Sequence, residues 1–522
     1  MNVKKLVCSI ISLSLLVNCG IAALPVSASA VDTDTEIYVS PDGNDSNSGS
    51  SESPFKTLER AKAEVRVHNS NMSGNIIVNI ASGVYYMDNT LEFTQADSGT
   101  NGFSVIYRGI TDENGNSPIV SGGVDISDNW ELYDESLNIY KHENIDWSFR
   151  QLYTNNDRAI RARVPNLENK ETGGPYFRAS GGDGSYPLFI GTNNEYAQKA
   201  GNDAEIIWNS SWSQFRARIE SYNSSTGRVT FKAPDNTFAW NHHTQGDTPF
   251  YLENSLAYLD SEGEWYLDKD TSTLYYKPRE GEIMNKTEII APKLETIIDI
   301  NGTDENKTEN ITFDGIQFLH SNWLAPDSYG YCSVQGGFRY QSEGGKDNSA
   351  IRGSARYDAP KSMVQLRHTK NISLINSKFS FSGSWGIMGY EDTENTFIDH
   401  NVFTKNAGGG VTMGMAGREW DDQTENEQPR TYTDMDGQSR YDTITNNYID
   451  HVACEYQDMV GIGAMLPQHM TIANNEIGYL PYTGINIGWN WLDTDHGMTA
   501  NKVYQNYIHN TCMLYRMAAA FN

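Results

Sequence analysis

The chain has 522 residues and a formal net charge of −28, from 39 Lys and Arg against 67 Asp and Glu. With 38% hydrophobic and 11% aromatic residues it can bury a large core, which excludes a disordered chain. The acidic balance lacks the basic face that nucleic-acid binding needs, and it disfavours docking on anionic lipid.

Residues 1–30 read as a secretion signal. Lys4 and Lys5 give a basic start, Leu6 to Ile21 is mostly apolar, and Ala28-Ser29-Ala30 fits a small-x-small cleavage site. The mature chain is expected from Val31, secreted to the extracellular space, with no later stretch long enough to span a bilayer. A lipid anchor at Cys19 is disfavoured by Asn18, where a small residue is expected. Cys8 and Cys19 leave with the signal, and the remaining cysteines, Cys332, Cys454 and Cys512, are far apart with no Cys-x-x-Cys. No metal centre and no cofactor is expected, and Cys454 and Cys512 read as small core residues.

Next, Ile37-Tyr38-Val39 reads as a strand, followed by a Ser-rich loop and a helix of about ten residues around Pro54–Ala61. Asp42, Asn44 and Asp45 read as a turn, because the glycine and closing glutamate of a calcium loop do not match. Between 125 and 295 the pattern becomes short aromatic strands separated by turns. Examples are Tyr251-Leu252-Glu253, Trp265-Tyr266-Leu267 and Leu274-Tyr275-Tyr276, and they predict a small antiparallel β domain.

The last third is repetitive. Asn310–Phe318, Asn371–Phe379, Asn395–Phe403, Tyr441–Ile449, His469–Ile477 and Ala500–Ile508 align, each closing on an apolar residue. The closing positions 318, 379, 403, 449, 477 and 508 give spacings of 24, 28 and 31, with longer gaps of 46 and 61. A period in the twenties with alternating β-branched residues predicts stacked strands, each coil burying its apolar face against the next. Asn is abundant, 49 residues, and Asn401, Asn447, Asn475 and Asn506 share one register. Asn tolerates the left-handed backbone of a tight bend, and its side chain can bond the same atom one rung up.

The opening resembles secreted right-handed parallel β-helix proteins, whose short helix plugs the end of the bore. The phrases Phe149-Arg150-Gln151-Leu152-Tyr153, Arg161-Ala162-Arg163-Val164-Pro165, Gly263-Glu264-Trp265-Tyr266 and Leu480–Trp491 resemble glycoside hydrolase family 141. The fold expected is all-β: a right-handed parallel β-helix solenoid with an N-terminal cap helix and an inserted antiparallel β-sandwich-like domain. The expected division is 1–30 signal, 31–124 cap and first coils, 125–295 insertion, and 296–522 further coils. The resemblance implies hydrolysis of a complex plant or host glycan, of fucosylated pectin or xylan type, by a chain that acts as a monomer on a polysaccharide or oligosaccharide.

Rungs of a parallel sheet lie ~4.8 Å apart, so a carboxylate pair one or two rungs apart could span the ~5–5.5 Å of retaining or the ~6.5–9.5 Å of inverting glycosidases. Candidate acids are Asp458, read on a strand after an irregular loop, Glu476, read as pointing outward, and Asp495. Tyr482, Trp489, Trp491 and His496 are candidate sugar contacts, because rings stack on a pyranose face. The bland readings are a turn-capping Asp458 and a core Trp489. Asp442 and Asp450 read as solvated acids, and His242-His243 as a surface turn.

The family pattern places an Asp-Gly-Gly-Ile-Tyr motif after the His509-Asn510-Thr511 turn. Here the chain reads Tyr515–Asn522 and stops, and a one-base frame change in Met517–Phe521 would restore Asp-Gly-Gly-Gly-Ile. The expectation is therefore a fragment with an exposed apolar edge at Cys512–Tyr515. Two other readings are a polysaccharide lyase on the same fold, disfavoured by late coils poor in Lys and Arg, and a non-catalytic glycan-binding protein.

Overall fold

The computed structural model describes residues 34–170, 172–182, 188–210, 212–238, 247–333, 335–342, 357–414, 437–488 and 497–514. These residues form mostly strands, with three short α-helices. No helix among them is long and apolar enough to cross a membrane. The signal segment lies outside the described residues.

Three ladders of strands run side by side, parallel in every pairing. The first stacks Leu91, Ile298, Val364, Ile387, Val411, Ile462 and Ile485 in one register. The second runs Ile37, Val78, Tyr107, Phe313, Leu374, Ile398, Ile444, Ile472 and Val503. The third runs Tyr85, Val120, Phe318, Phe379, Phe403, Ile449, Ile477 and Ile508. All six closing residues identified by the repeat fall in this third register. Phe318, Phe379 and Phe403 stack at 5.2 and 5.0 Å. One apolar cluster runs from Ile37 to Ile485. Each such side chain contributes roughly 1.5–3 kcal/mol on burial, so the stack holds only when neighbours cover each other.

The ladder asparagines link the rungs. The Asn401 side-chain amide donates to Asn447 Oδ1 at 3.0 Å, Asn447 to Asn475 at 3.0 Å, and Asn475 to Asn506 at 2.9 Å. Each amide also donates to a backbone carbonyl, as Asn447 does to Ile398 at 3.0 Å. The left-handed residue of each bend, however, is the one before: His400, Asn446, Asn474 and Gln505, with φ between 54° and 57°. The rung-linking role and the backbone role are thus mostly split between neighbours, although Asn446 also donates to Asp399 Oδ1 at 2.7 Å. Asn310, Asn371 and Asn395 do combine them, with positive φ and amide links of 2.9 and 2.7 Å.

At the N-terminal end, helix Leu58–His68 lies over the core through Leu58, Ala61 and Val65. Thr57 caps it, its hydroxyl accepting from the Arg60 N–H at 3.2 Å. Asp45 accepts from the Lys56 and Thr57 N–H groups at 2.9 Å, a turn in keeping with the sequence reading.

The inserted region begins where Gly123–Asp125 pairs antiparallel with Ile289–Pro292. Its sheets are antiparallel except where Ile160 and Arg161 run parallel to Glu264 and Trp265. They have their own core, in which Trp208 stacks on Phe215 at 5.0 Å and on Phe231 at 5.4 Å. Strand Tyr331–Cys332, which follows the insertion in sequence, joins this sheet against Ser213–Asn223.

Three sequence readings are corrected. Asp442 is buried, not solvated: its carboxylate accepts from the Thr396 N–H at 2.7 Å and the Thr393 hydroxyl at 2.8 Å. Burial pushes it up to about 6. Cys454 is exposed and Cys512 half-buried, because both follow the strands and sit in turns outside the ladders. Asp458 lies in a turn ahead of strand Ile462–Ala464, not on a strand.

Candidate active site

The turn Glu455-Tyr456-Gln457-Asp458 connects the third ladder to the first, and the inserted domain grips it. Asp458 is fully buried. Its Oδ1 accepts from the Tyr331 hydroxyl at 2.7 Å, and its Oδ2 accepts from the Gln214 N–H at 3.1 Å and from the Ser333 hydroxyl. Burial raises its pKa to about 6, although these donors favour the ionised form. Gln457 Oε1 accepts from Gln214 at 3.1 Å and Asn209 at 3.2 Å.

Tyr482 is also buried, its hydroxyl accepting from Gln335 Nε2 at 2.9 Å. Burial raises its pKa, and the nearby Asp458 charge adds to the rise. Both residues adjoin an aromatic cluster in which Trp323 meets Tyr456 at 4.7 Å and Tyr331 meets Tyr456 at 4.9 Å. The structure thus brings Asp458 and Tyr482 together. Glu476 stands exposed on the third ladder, in register with Tyr448 and Tyr507 and 3.5 Å from His509 Nε2. None of those neighbours touches the Asp458 carboxylate. Asp495, Trp489, Trp491, His496 and the His242-His243 pair lie outside the described residues.

Sequence reasoning missed a cleft of about 870 Å³ between the insertion and the ladders. The segments that line it come from residues 157–170, 216, 251–253, 404–405 and 450–455. Its volume lies in the range of small-molecule sites. Six of its lining side chains are Lys or Arg and five are Asp or Glu, against 39 and 67 in the whole chain. The one sequence signal was the run Arg158, Arg161, Arg163 in an otherwise acidic protein.

Most of these charges are paired. Glu253 accepts from Arg161 at 3.0 Å and from Arg216 at 2.7 Å. Arg216 also donates to the Glu455 carbonyl at 2.6 Å, which ties the insertion to the turn. The Glu455 carboxylate accepts from Arg158 and from Gln151 at 3.0 Å. Burial alone would push Glu455 up, but Arg158 and Arg216 outweigh it and hold it below the usual value. Asp157 is likewise driven down, to about 2, because Lys170 and Lys405 outweigh its burial. Lys170 lies 2.9 Å and Lys405 3.1 Å from its carboxylate.

Away from the cleft, Asp304, His368 and Asp392 hold three ligand-type atoms within 4.8 Å of one another. Lys307 is already 2.8 Å from Asp392 Oδ1 and supplies positive charge there.

Residues 137–279 match the family model for the GH141 insertion domain. No curated protein sequence matches the chain. A solved structure described as a glycoside hydrolase is 25% identical over 93% of this chain and 85% of its own, with a TM-score of 0.82. A complex of XylC with xylose covers 90% of this chain and 62% of its own at 12% identity and a TM-score of 0.46. The GH136 lacto-N-biosidase from Eubacterium ramulus covers 91% and 56% at 10% identity and 0.32. The last two scores are too low to fix a common fold. The chain therefore carries a GH141-type insertion within a structure that is similar, over nearly its whole length, to a glycoside hydrolase.

Proposed function

We propose that the chain is a secreted glycoside hydrolase acting on a complex glycan, of fucosylated pectin or xylan type, with the ladders forming coils of a right-handed parallel β-helix. The observation that carries this reading is the likeness to a glycoside hydrolase at a TM-score of 0.82 and 25% identity. The acid chemistry supports it. Glycoside hydrolysis needs one carboxyl kept protonated and one kept ionised. Within one turn, Asp458 is raised to about 6 by burial while Glu455 is held low by Arg158 and Arg216. Asp458 is the proposed acid, and Glu455, which lines the cleft, the proposed ionised partner.

A lyase needs a base to take the proton beside a uronate. The cleft lysines, Lys170 and Lys405, are both held by Asp157, so hydrolysis is the better reading. The test is product analysis on fucosylated pectin and xylan oligosaccharides with the wild-type chain, Asp458→Asn and Glu455→Gln. Release of reducing sugar that falls 100-fold or more in both variants, in line with a general acid's usual ~10²–10⁴-fold, supports the reading. Ultraviolet-absorbing unsaturated ends would replace it with a lyase, and binding without turnover with a glycan-binding protein.

A further inference from the structure

Arg163 differs from the other arginines of the cleft. It is 5% exposed, yet no carboxylate partners its guanidinium among the described residues. Nε donates to the Pro165 carbonyl at 2.9 Å and Nη2 to the Pro175 carbonyl at 3.3 Å. The guanidinium carbon sits over the Tyr251 ring, 3.7 Å from its centroid. Those two bonds occupy one side edge of the fork. Of the five N–H donors a guanidinium carries, three are left, including both on Nη1, with no protein partner among the described residues.

The neighbours cannot supply the missing anion. Glu253 is committed to Arg161 and Arg216, Glu455 to Arg158 and Gln151, and Asp157 to Lys170 and Lys405. Of the other two acids of the lining, Asp450 lies 2.6 Å from His451, and Glu168 makes no ion pair or hydrogen bond with the Arg163 guanidinium. Glu264, on the neighbouring strand, accepts from the Arg163 backbone N–H at 3.2 Å and not from its side chain. A buried cation without a counter-charge is costly unless something else completes it. Arg163 lines the cleft, and its Nη1 is not among the polar atoms sealed from solvent without a partner.

We propose that Arg163, held over Tyr251, is the recognition site for an anionic sugar residue of the glycan, a carboxylate or a sulfate ester. A guanidinium end edge presents two parallel N–H donors that match two oxygens of such a group. Its carbon stem and the ring beneath are fixed by burial, so little side-chain freedom is lost on binding. The proposal rests on the reading of the cleft as the glycan site, and it adds the charge of the substrate to that reading.

The experiment is calorimetric titration of the full chain with D-galacturonate and D-glucuronate oligosaccharides, with galactose 6-sulfate, and with neutral galactose oligosaccharides of equal length. The expected result is binding of an anionic set at least tenfold tighter than the neutral set, weakening as salt rises. Preference between the uronate and sulfate arms identifies the anion. Arg163→Met is expected to erase that preference. Arg163→Lys, which keeps the charge and loses the fork, is expected to reduce it several-fold, and it serves if Arg163→Met fails to fold. Neutral sugars binding as tightly as anionic ones, with no salt dependence, would overturn the anion site while leaving glycan binding intact. Failure of every sugar to bind would overturn both.

Discussion

The backbone N–H of Gln214, in the inserted domain, donates to the carboxylate of Asp458, in the ladder region, at 3.1 Å. Two parts of the chain 244 residues apart therefore meet on one buried acid. Asp458→Asn is expected to keep this joint. Its oxygen can still accept from Gln214 and Ser333, and its amide can donate to the Tyr331 hydroxyl. Asp458→Ala removes the shared acceptor of three buried donors, and is expected to cost about 2–4 kcal/mol. Thermal unfolding of the two variants separates the roles. A near-normal Tm for Asp458→Asn with lost turnover assigns acid chemistry, whereas normal turnover would reduce Asp458 to a structural clamp.

Three buried acids give the fold a dependence on pH. Asp442 and Asp458 rise from 3.8 to about 6, and Glu264 from 4.5 to about 8, each mainly through burial. Because the folded values lie above the unfolded ones, the native state holds more protons between them. Their effect is absent below about pH 4. Stability then falls as pH rises to 6 for the aspartates and to 8 for Glu264. Each aspartate loses up to roughly 3 kcal/mol at ~1.4 kcal/mol per pKa unit. Asp442→Asn is expected to flatten the fall between pH 4 and 6, since the new amide can donate to the Thr393 hydroxyl. Denaturant midpoints at pH 4, 6 and 8 measure this, and an unchanged slope counts against a protonated Asp442.

Neighbouring asparagines should respond differently to alanine. Asn447 is buried, and its removal takes the shared acceptor from the Asn401 N–H and side-chain amide and a donor from the Ile398 carbonyl at once. The expected loss is about 2–4 kcal/mol. Asn446 is exposed with φ 55°, and its amide donates to Asp399 Oδ1 at 2.7 Å, so Asn446→Ala should cost the left-handed strain and one exposed bond, about 1–2 kcal/mol together, and Asn446→Gly less. Equal losses at 446 and 447 in urea unfolding would contradict the division of roles.

Arg216→Met tests how the inserted domain is held. It leaves Glu253 with Arg161 alone and frees the Glu455 carbonyl. Breaking one side of a buried pair typically costs ~3–5 kcal/mol. The expected readout is faster proteolysis of the 137–279 region and a lower first unfolding transition. An unaltered cleavage pattern would show that the aromatic contacts alone suffice.

The ladder register was legible because its signal repeats. Phe318, Phe379, Phe403, Ile449, Ile477 and Ile508 occupy equivalent places, and each copy reinforces the others. The capping helix was legible in the Pro54–Ala61 segment after the Ser-rich loop, although it runs further along, over Leu58–His68. Asp442 was misread because alternation predicts which way a strand residue points, but Asp442 sits just before Thr443–Thr445, where a carboxylate satisfies the previous rung's bend. The cleft was illegible for another reason. Arg158, Glu253, Lys405 and Glu455 are scattered along the sequence, and only the docking of the insertion makes them neighbours. Nothing local distinguishes Arg163, whose lack of a carboxylate partner sets it apart, from Arg161, which has two.

Strand Tyr331–Cys332 completes the insertion's sheet although it lies some fifty residues beyond the matched segment. The insertion is therefore not a cassette with clean ends. Cut out as 137–279, it would bare the edge of Ser213–Asn223 around Phe215 and would lose the partners of Gln214 and Arg216. Transplanting it between relatives would require moving its socket as well, the short strand at 331–332 and the turn at 455–458. A chimera that respects only the family boundaries should express poorly, and one that carries those two distant pieces should fold.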